Sequence, residues 1–419
     1  MDGSDGGLKR TDRATCFVMV ILSLLVDEGI SSAQSVRPDS QDTSSSSIAS
    51  SSATTIGGYG NAFYQRNFGT QTALMDLERV VLFVGHRFTP GIAFFSELEV
   101  EDAKVTGGED GGEVAFEQAY VRFTLDPTHS ISAGLFLPRI GILNENHLPT
   151  EFNGNERNQV ETFIIPSTWR ELGIGFYGSS GGLPVSYSIA LVNGLNSATF
   201  VHGSGIREGR FEGRNASANN LALAGSAELY LKNAVVGISG YYGGSVGLSS
   251  RQADSLQLQS GPFGTPVIIG ESHVQYESGG LSLKVLGTAV SIPRASDINR
   301  AYANNTPALE YGAYAEIGCD ILQFLCPVPG KRLIAFLRFE TLDMNATIPS
   351  NGILDGTLKQ RHIVCGFNYL PITDVVIKAD VRFAHTGDQN PALVLNPSPV
   401  AVPYKNSITF FNVGLGLSF

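Results

Sequence analysis

Hydrophobic and polar residues alternate with a period of two along most of the chain, from about residue 57 to the last residue. Near the C-terminus, apolar side chains stand at every second position, with small or polar residues between them: Phe411, Val413, Leu415, Leu417 and Phe419. Successive side chains of a β-strand point to opposite faces of its sheet, so this period predicts a strand with one apolar face. Sixteen segments of this kind follow one another, and no long amphipathic helix interrupts them. They are 57–66, 77–88, 91–101, 114–125, 130–139, 169–179, 183–195, 220–232, 234–246, 268–278, 280–290, 308–318, 331–341, 359–370, 373–385 and 406–419.

The connections between these segments alternate between short and long. Turns such as "TP" and "DPTH" are followed by long connections, among them 102–113, 140–168, 196–219, 247–267, 291–307, 342–358 and 386–405. Outer-membrane barrels have tight periplasmic turns and long external loops, and an even strand number places both termini in the periplasm. A soluble sandwich or a solenoid predicts no such alternation. The pattern therefore predicts an all-β fold, a transmembrane antiparallel β-barrel of about 16 strands, over residues 57–419.

Charged residues share the face opposite the apolar one. In "KRLIAFLRFETL", Arg338 and Glu340 lie on one face, and in "VVIKADVRF" the same holds for Lys378, Asp380 and Arg382. Burying so many charges in a dry core would cost several kcal/mol for each unpaired ion. We therefore predict that the polar face lines a water-filled lumen, which sixteen strands are numerous enough to enclose, and that the apolar face meets lipid.

Composition agrees with this interpretation. Only 16% of the residues are charged, 48 of the 419 are glycine, and no stretch after residue 26 is apolar for long enough to cross a bilayer as a helix. The formal net charge is −11, and a net acidic exported chain argues against nucleic acid as a partner.

The N-terminal region has the features of an export signal. Three basic residues precede the apolar run "ATCFVMVILSLLV", and small residues follow it up to Ala33. This pattern predicts a signal peptide over 1–33 that is cleaved after Ala33. The Ser/Thr-rich stretch 34–56 has no periodicity and is interpreted as a flexible periplasmic linker. Localisation in the bacterial cell outer membrane follows from the signal and the barrel together.

Two cysteines stand close together after the twelfth segment. Cys319 and Cys326 bracket "DILQFL" in a chain that matures in an oxidising compartment. We predict a disulfide between them, which would close one periplasmic turn. Cys365 lies alone in a strand segment and is expected to behave as a small apolar side chain.

Other kinds of chemistry have little support in the sequence. The seven histidines are scattered over separate segments, so neither a metal site nor a cofactor is predicted. No G-x-S-x-G motif appears, and the chain is not expected to be an enzyme. An outer-membrane barrel lipase is the rival hypothesis among enzymes.

One segment resembles a known family. Residues 134–178 contain "GLFLPRIG", "NENHLPTEF" and "IIPSTWRELGIGFYG", and they resemble the phosphate-selective porins of Gram-negative outer membranes. The resemblance implies a trimeric sixteen-stranded porin whose third external loop, here 140–168, folds into the lumen. The terminal Phe419 is similar to the signature that the barrel assembly machinery recognises. The implied partners are therefore outer-membrane lipid, that machinery, small anionic solutes and two further copies of the chain.

In the characterised phosphate channels, arginines and a ladder of lysines draw anions inward, and this chain has no comparable lysine ladder. Its candidate pore and solute-binding residues are basic side chains on the wall and near the third loop: Arg122, Arg338, Lys378, Arg382, Arg139, Arg157 and Arg170. The alternative for each is an ion pair with a neighbouring acid that only fixes the loop. The single tryptophan, Trp169, is expected in an interfacial aromatic belt because it lies at a loop-to-strand junction.

Three functions remain open at this point. The first is a channel that prefers small anions such as phosphate, since pore-lining charges determine selectivity. The second is a general diffusion porin without anion specificity. The third is a non-conducting surface barrel used for adhesion, for which a plugged lumen would be the mark.

Overall fold

The computed structural model describes residues 54–101, 114–393 and 404–419. The predicted signal peptide and the linker up to residue 53 lie outside these ranges, whereas 54–56 already belong to the first strand. The described residues form sixteen strands, as the alternation predicts. Their bounds are β1 Thr54–Asn67, β2 Thr72–Thr89, β3 Ile92–Glu101, β4 Val114–Asp126, β5 His129–Phe136, β6 Glu171–Ser179, β7 Val185–Asn193, β8 Leu221–Tyr230, β9 Ala234–Gly243, β10 Val267–Ser278, β11 Leu281–Ser291, β12 Leu309–Asp320, β13 Arg332–Thr347, β14 Lys359–Ile372, β15 Val375–Thr386 and β16 Ser407–Ser418.

Every strand pairs with its sequence neighbours, and β1 pairs with β16, so the sheet closes into an antiparallel barrel. At this seam Tyr59 lies opposite Ser418. The backbone N–H of Phe419 donates to the carbonyl of Gly58 at 2.9 Å, and the N–H of Gly58 donates to the carbonyl of Phe419 at 3.0 Å. The last residue of the chain is therefore part of the closure, and its role as an assembly signal stays a prediction.

The outer face of the barrel is apolar. On β16, Val413, Leu415 and Leu417 are exposed, whereas Asn412, next to Val413, points inward and is fully buried. The same alternation on β13 leaves Leu337 half exposed and buries Arg338 and Glu340 on the inner face. An apolar exterior around a closed sheet with every strand paired is the arrangement that a bilayer requires. The predicted transmembrane β-barrel is confirmed.

The helices of the described residues are short and lie in the connections. Three are α-helical, namely Ser250–Ser255, Ala295–Tyr302 and Ile321–Leu325, and a single π-helical turn spans Val160–Ile164. The 3₁₀ turns are Ser197–Thr199, Arg207–Gly209, Gly356–Leu358 and Pro391–Leu393. In the part of the chain that the structure describes, none of these helices is long and apolar enough to cross a membrane.

A hydrophobic cluster occupies part of the barrel interior. Inward-facing side chains of β7 to β13, such as Ile269 and Leu342, pack there against two long connections, L3 (137–170) and L4 (194–220). L3 contributes Ile164, and L4 contributes Phe200 and Ile206, all of which are fully buried. Protein therefore fills the lumen beside this wall, where the sequence analysis predicted water.

The predicted disulfide is not present in the structure. Cys319 and Cys326 both carry free thiols, as does Cys365. Cys319 lies in a regular stretch of β12, opposite Leu281 and Ala335. The helix Ile321–Leu325 follows, and Cys326 is an exposed residue at its C-terminal end. The two thiols therefore belong to separate elements, that of Cys319 to a strand and that of Cys326 to the end of a helical turn.

Candidate functional site in the lumen

L3 leaves the wall after β5 and crosses the lumen to the opposite side. In the barrel order, β13 is eight strands away from β5, which places it directly across. The Nδ2 of Asn153 donates to Glu316 on β12 at 2.9 Å, and the backbone N–H of Gln159 donates to Glu340 on β13 at 2.6 Å. The prediction that the third external loop folds inward is confirmed.

Glu161 fixes the internal shape of L3. Its carboxylate accepts hydrogen bonds from the backbone N–H groups of Ile142 and Leu143 at 2.6 and 2.8 Å. Asn158 and Tyr314 of β12 donate to its second oxygen, each at 2.9 Å. Burial raises the pKa of Glu161, whereas these four donors favour its charged form. One acid thus ties both limbs of the loop to each other and to the wall.

Arg338 on β13 is the centre of the contact between the tip of L3 and the far wall. Its guanidinium donates to Glu316 at 3.1 Å, to Glu340 at 2.6 Å and to the carbonyl of Asn153 at 2.9 Å. The residue is only 3% exposed. Arg338 was predicted to line the pore, and the structure instead shows the alternative, an arginine that holds the loop with two acids.

Lys378 and Arg382 on β15 have the same role. The Nζ of Lys378 donates to the carbonyls of Phe152 and Gly154 at 2.9 and 2.8 Å. Arg382 forms an ion pair with Glu156 of L3 at 3.1 Å. We call the group formed by Arg338, Lys378 and Arg382 with the tip of L3 the clamp.

Asp380 completes the clamp, and the sequence analysis did not identify it as a site residue. Its carboxylate accepts from the N–H and the Nδ2 of Asn155 at 2.8 and 2.7 Å, and from Asn412 at 2.7 Å. On β16, a Cβ added at Gly416 would lie 2.6 Å from the Cβ of Pro149, so glycine allows the loop to approach the wall. The asparagines that recur along L3 were the available signal for this contact.

Arg157 and Arg170 also brace loops. Arg170 is buried and donates to Glu99 of β3 at 3.4 Å and to Glu212 of L4 at 3.1 Å. Arg157 is half-buried and donates to the carbonyl of His147 at 3.4 Å. Both were predicted to contact solutes, and their contacts in the structure link L3 to the wall, to L4 and to itself.

Arg122 and Arg139 lie in a different setting. They share a cavity of about 40 Å³ between the base of L3 and the wall formed by β4 to β6. The guanidinium of Arg122 lies 5.1 Å from the ring centroid of Phe95. That of Arg139 lies 4.9 Å from the ring of Tyr177 and forms an ion pair with Glu145 at 2.5 Å. This volume has room for a few water molecules. The cavity is lined by Gln118, Tyr120, Arg122, Ser132, Phe136, Leu137, Arg139, Asn144, Glu145 and Tyr177.

Trp169 lies inside the barrel. It is fully buried in the hydrophobic cluster, with its ring centroid 4.8 Å from that of Tyr241. Its indole N–H donates to Glu171 at 2.7 Å. The predicted position in an interfacial belt is wrong. The backbone at the end of L3 directs this side chain toward the lumen, where Tyr241 and the carboxylate of Glu171 contact it.

Comparison of the sequence with known proteins finds one extended similarity. The chain is 29% identical over 338 residues to an uncharacterized protein of Aquifex aeolicus (strain VF5), a match that covers 78% of this chain and 74% of that protein. No protein-family model matches the chain. The resemblance of residues 134–178 to phosphate-selective porins thus remains an observation on that segment alone.

Comparison with solved structures shows the same fold at low sequence identity. OmpF of Salmonella typhi, solved with daunomycin, superposes with a TM-score of 0.53 and 11% identity, covering 88% of this chain and 98% of that one. An anion-selective porin from Comamonas acidovorans superposes with a TM-score of 0.51 and 13% identity, covering 88% of this chain and all of that one. The architecture is therefore that of the outer-membrane porin barrels.

Proposed function

We propose that this protein is an outer-membrane porin through which small solutes diffuse passively. The observation that carries the proposal is a closed sixteen-stranded barrel with an apolar exterior and a third external loop folded across its lumen. A loop of this kind narrows a passage, and charged side chains at the narrowest level of a pore act on a solute most strongly. Passive diffusion of this kind requires no catalytic residue and no cofactor.

We further propose that the pore prefers small anions, of the size and charge of phosphate. Among the residues that line the cavity at the base of L3, Arg122 and Arg139 are cationic and Glu145 is the one acid. Guanidinium groups stay charged in proteins, and charges more than about 8–10 Å away are screened at physiological salt. Arg139 is paired with Glu145 at 2.5 Å, so the two guanidinium groups and one carboxylate leave the cavity lining with a net charge of +1, and more distant acidic residues are screened. The anion-selective porin from Comamonas acidovorans, which has the same fold, supports this choice of solute.

The assembled form that we propose is a homotrimer in the bacterial outer membrane. The support is the resemblance of residues 134–178 to trimeric phosphate-selective porins. Native mass spectrometry of the detergent-extracted protein tests this form, because a trimer has three times the mass of the processed chain and a monomer has one.

Reversal potentials in planar bilayers under a KCl gradient test the solute class. The wild-type pore should favour chloride over potassium weakly. The double variant Arg122→Gln with Arg139→Gln should shift the reversal potential toward cation selectivity. Arg300→Gln is the matched control, because Arg300 pairs with Asp297 at 2.9 Å on a helix of an external connection and should leave selectivity unchanged.

Clear cation selectivity of the wild type, or an unchanged reversal potential in the folded double variant, would refute the anion preference. Heat-modifiable migration in gels shows whether each variant has folded. The porin assignment itself would survive either result, since a general diffusion pore conducts without preferring anions.

The hydrophobic cluster that fills part of the lumen favours a second candidate function. L3 and L4 pack against β7 to β13 as a continuous apolar cluster, which is the mark expected of a non-conducting surface barrel. Single-channel recording separates the two functions. Discrete conductance steps from the purified wild type support the porin, and complete silence of a barrel that is shown to be folded supports the surface barrel.

A further inference from the structure

A second group of ionisable side chains lies where L3 meets the wall formed by β3 and β4. Glu97 on β3, Glu117 on β4 and His147 on L3 each present one ligand-type atom, and the three atoms lie within 4.8 Å of one another. The three residues are 6%, 0% and 2% exposed. A buried group of two carboxylates and an imidazole needs a compensating charge or proton.

A β-bulge creates this arrangement. Glu97 pairs with Gln118, whereas the next residue, Leu98, pairs with Phe116, so Glu117 is an extra residue in β4. Both Glu117 and Gln118 are buried inside the barrel, although neighbours in a regular strand point to opposite faces. Bulges commonly redirect a side chain in this way near functional sites. The bulge is what brings the Glu117 carboxylate to His147.

The hydrogen bonds of His147 leave its second nitrogen turned toward the acids. Its Nδ1 lies 3.2 Å from the carbonyl oxygen of Asn144, and a carbonyl only accepts, so Nδ1 carries the proton. The Nε2 of the neutral ring then presents a lone pair to Glu117 Oε1. Neither of these two buried atoms has a hydrogen-bond partner. Two acceptors that face each other need a proton or a metal cation between them.

The spacing suits a metal ion better than a hydrogen bond. His147 Nε2 and Glu117 Oε1 are 3.5 Å apart, beyond the usual range of an N–H···O bond. Two ligands at about 2.0–2.1 Å from a tetrahedral zinc ion are separated by about 3.3–3.4 Å. Neighbours hold the acids in place, since Tyr59 donates to Glu117 at 2.7 Å and Gln118 donates to Glu97 at 2.8 Å. Metal-ligating carboxylates have such outer partners.

Two arginines lie near the group, and their attraction to Glu117 offsets part of its negative charge. Arg79 and Arg157 line a small cavity together with His147. Arg79 forms ion pairs with Glu78 at 2.9 Å and with Glu99 at 3.2 Å, so other acids match its charge.

We propose that Glu97, Glu117 and His147 bind a zinc-type divalent cation that fastens L3 to the β3–β4 wall. The imidazole ligand favours zinc and similar first-row ions over calcium and magnesium, which prefer oxygen ligands alone. The ion would attach L3 to the β3–β4 wall, away from the clamp strands β13 and β15. L3 would then be held at two separate places on the barrel wall.

Metal analysis of the full-length folded protein tests the proposal. The barrel is purified in detergent, treated with a chelator, dialysed against micromolar ZnCl₂ and measured by inductively coupled plasma mass spectrometry. The wild type should bind one zinc ion per chain, and calcium in excess should not displace it. His147→Gln and Glu117→Gln should each weaken zinc binding by at least about 100-fold. His362→Gln, a buried wall histidine outside this group, should bind zinc like the wild type.

Substoichiometric zinc in the folded wild type would overturn the proposal, as would full binding by the folded His147→Gln variant. Cobalt(II) provides a second measurement that does not depend on the stability of a variant. Cobalt bound to one nitrogen and two carboxylates gives visible ligand-field absorption, and zinc should abolish it by displacement. A wild type that gives no such absorption with cobalt would contradict the site.

Discussion

The tip and the base of L3 meet the barrel in different ways. At the clamp, Arg338 is enclosed by two acids and a loop carbonyl. At the base of the loop, Arg122 lies against the ring of Phe95, and Arg139 lies over Tyr177 and pairs with Glu145, beside a small cavity. All three are arginines that point inward or belong to the loop. The comparison teaches that the surroundings of an inward arginine, rather than its position on the strand, decide whether it binds the tip of the loop or borders a cavity.

The largest expected effect is the loss of the clamp arginine. Arg338→Ala leaves Glu316 and Glu340 buried without their common partner, which should destabilise the barrel by about 3–5 kcal/mol. Denaturant unfolding in detergent, followed by circular dichroism, measures the change. Arg332→Ala on the same strand is the control, because its ion pair with Asp320 is partly exposed and should contribute less than about 1 kcal/mol. Equal losses of stability from the two variants would remove the distinction between the buried clamp and this partly exposed ion pair.

A smaller effect is expected at Lys378, a second cation of the clamp. Lys378→Met keeps the length of the side chain and removes its two bonds to the carbonyls of Phe152 and Gly154. Stability should fall by about 1–3 kcal/mol, and L3 should become more accessible. Limited proteolysis of the folded protein measures this access. If L3 stays as resistant as in the wild type, Lys378 is not part of what holds the loop.

The fluorescence of Trp169 reports whether this side chain lies in the hydrophobic cluster or near lipid. Because the only tryptophan lies in the interior cluster, lipids brominated along their acyl chains should quench its fluorescence very little. A tryptophan placed in the lipid-facing belt is the control, for which Phe383→Trp on the outer face of β15 is suitable in a Trp169→Phe background. Strong quenching of Trp169 itself would return it to the interfacial position that the sequence suggested.

The smallest effect is expected outside both regions. Cys326→Ser should change the free energy of unfolding by less than about 0.5 kcal/mol, because the residue is exposed and its thiol is free. Non-reducing mass spectrometry of the wild type should find free thiols at Cys319 and Cys326. A bond between them, with a stability loss of about 2–3 kcal/mol on its removal, would restore the predicted disulfide.

The strands could be predicted from the sequence because each one satisfies a local rule. A strand that separates lipid from the interior must alternate, and the predicted and observed bounds of β9 and β14 differ by only a few residues. The inward loop between β5 and β6 was likewise predicted, from the resemblance of residues 134–178 to the phosphate-selective porins. These features depend on neighbours in sequence, so no knowledge of distant contacts was needed.

The filled interior depends on contacts between distant segments and was missed. On β10 the inward face begins with Val267 and Ile269 and continues with Glu271 and His273. This change from apolar to polar along one face was the available signal of an apolar cluster at the external end. Its partners in L4 have no periodicity, so the sequence did not indicate what would cover that face.

The same limit applies to the site residues. The structure places the seven basic side chains inside the barrel or in L3, and their division into clamp, brace and cavity depends on the path of L3. The group around His147 was dismissed because the histidines are scattered. A bulge supplies Glu117 and a loop supplies the imidazole, so neither a spacing motif nor strand alternation would have indicated them.

The seam between β1 and β16 also has a consequence for the order of folding. It joins Gly58 to Phe419, so the barrel cannot close until the whole chain has been delivered. Contacts between such distant residues form slowly. The apolar cluster draws on β4 to β13 with L3 and L4 and needs neither end of the chain. We expect proteolysis during refolding to find β7–β13 protected before β1. The interior would then consolidate inside an open sheet, and the last strand would close a barrel whose contents are already in place.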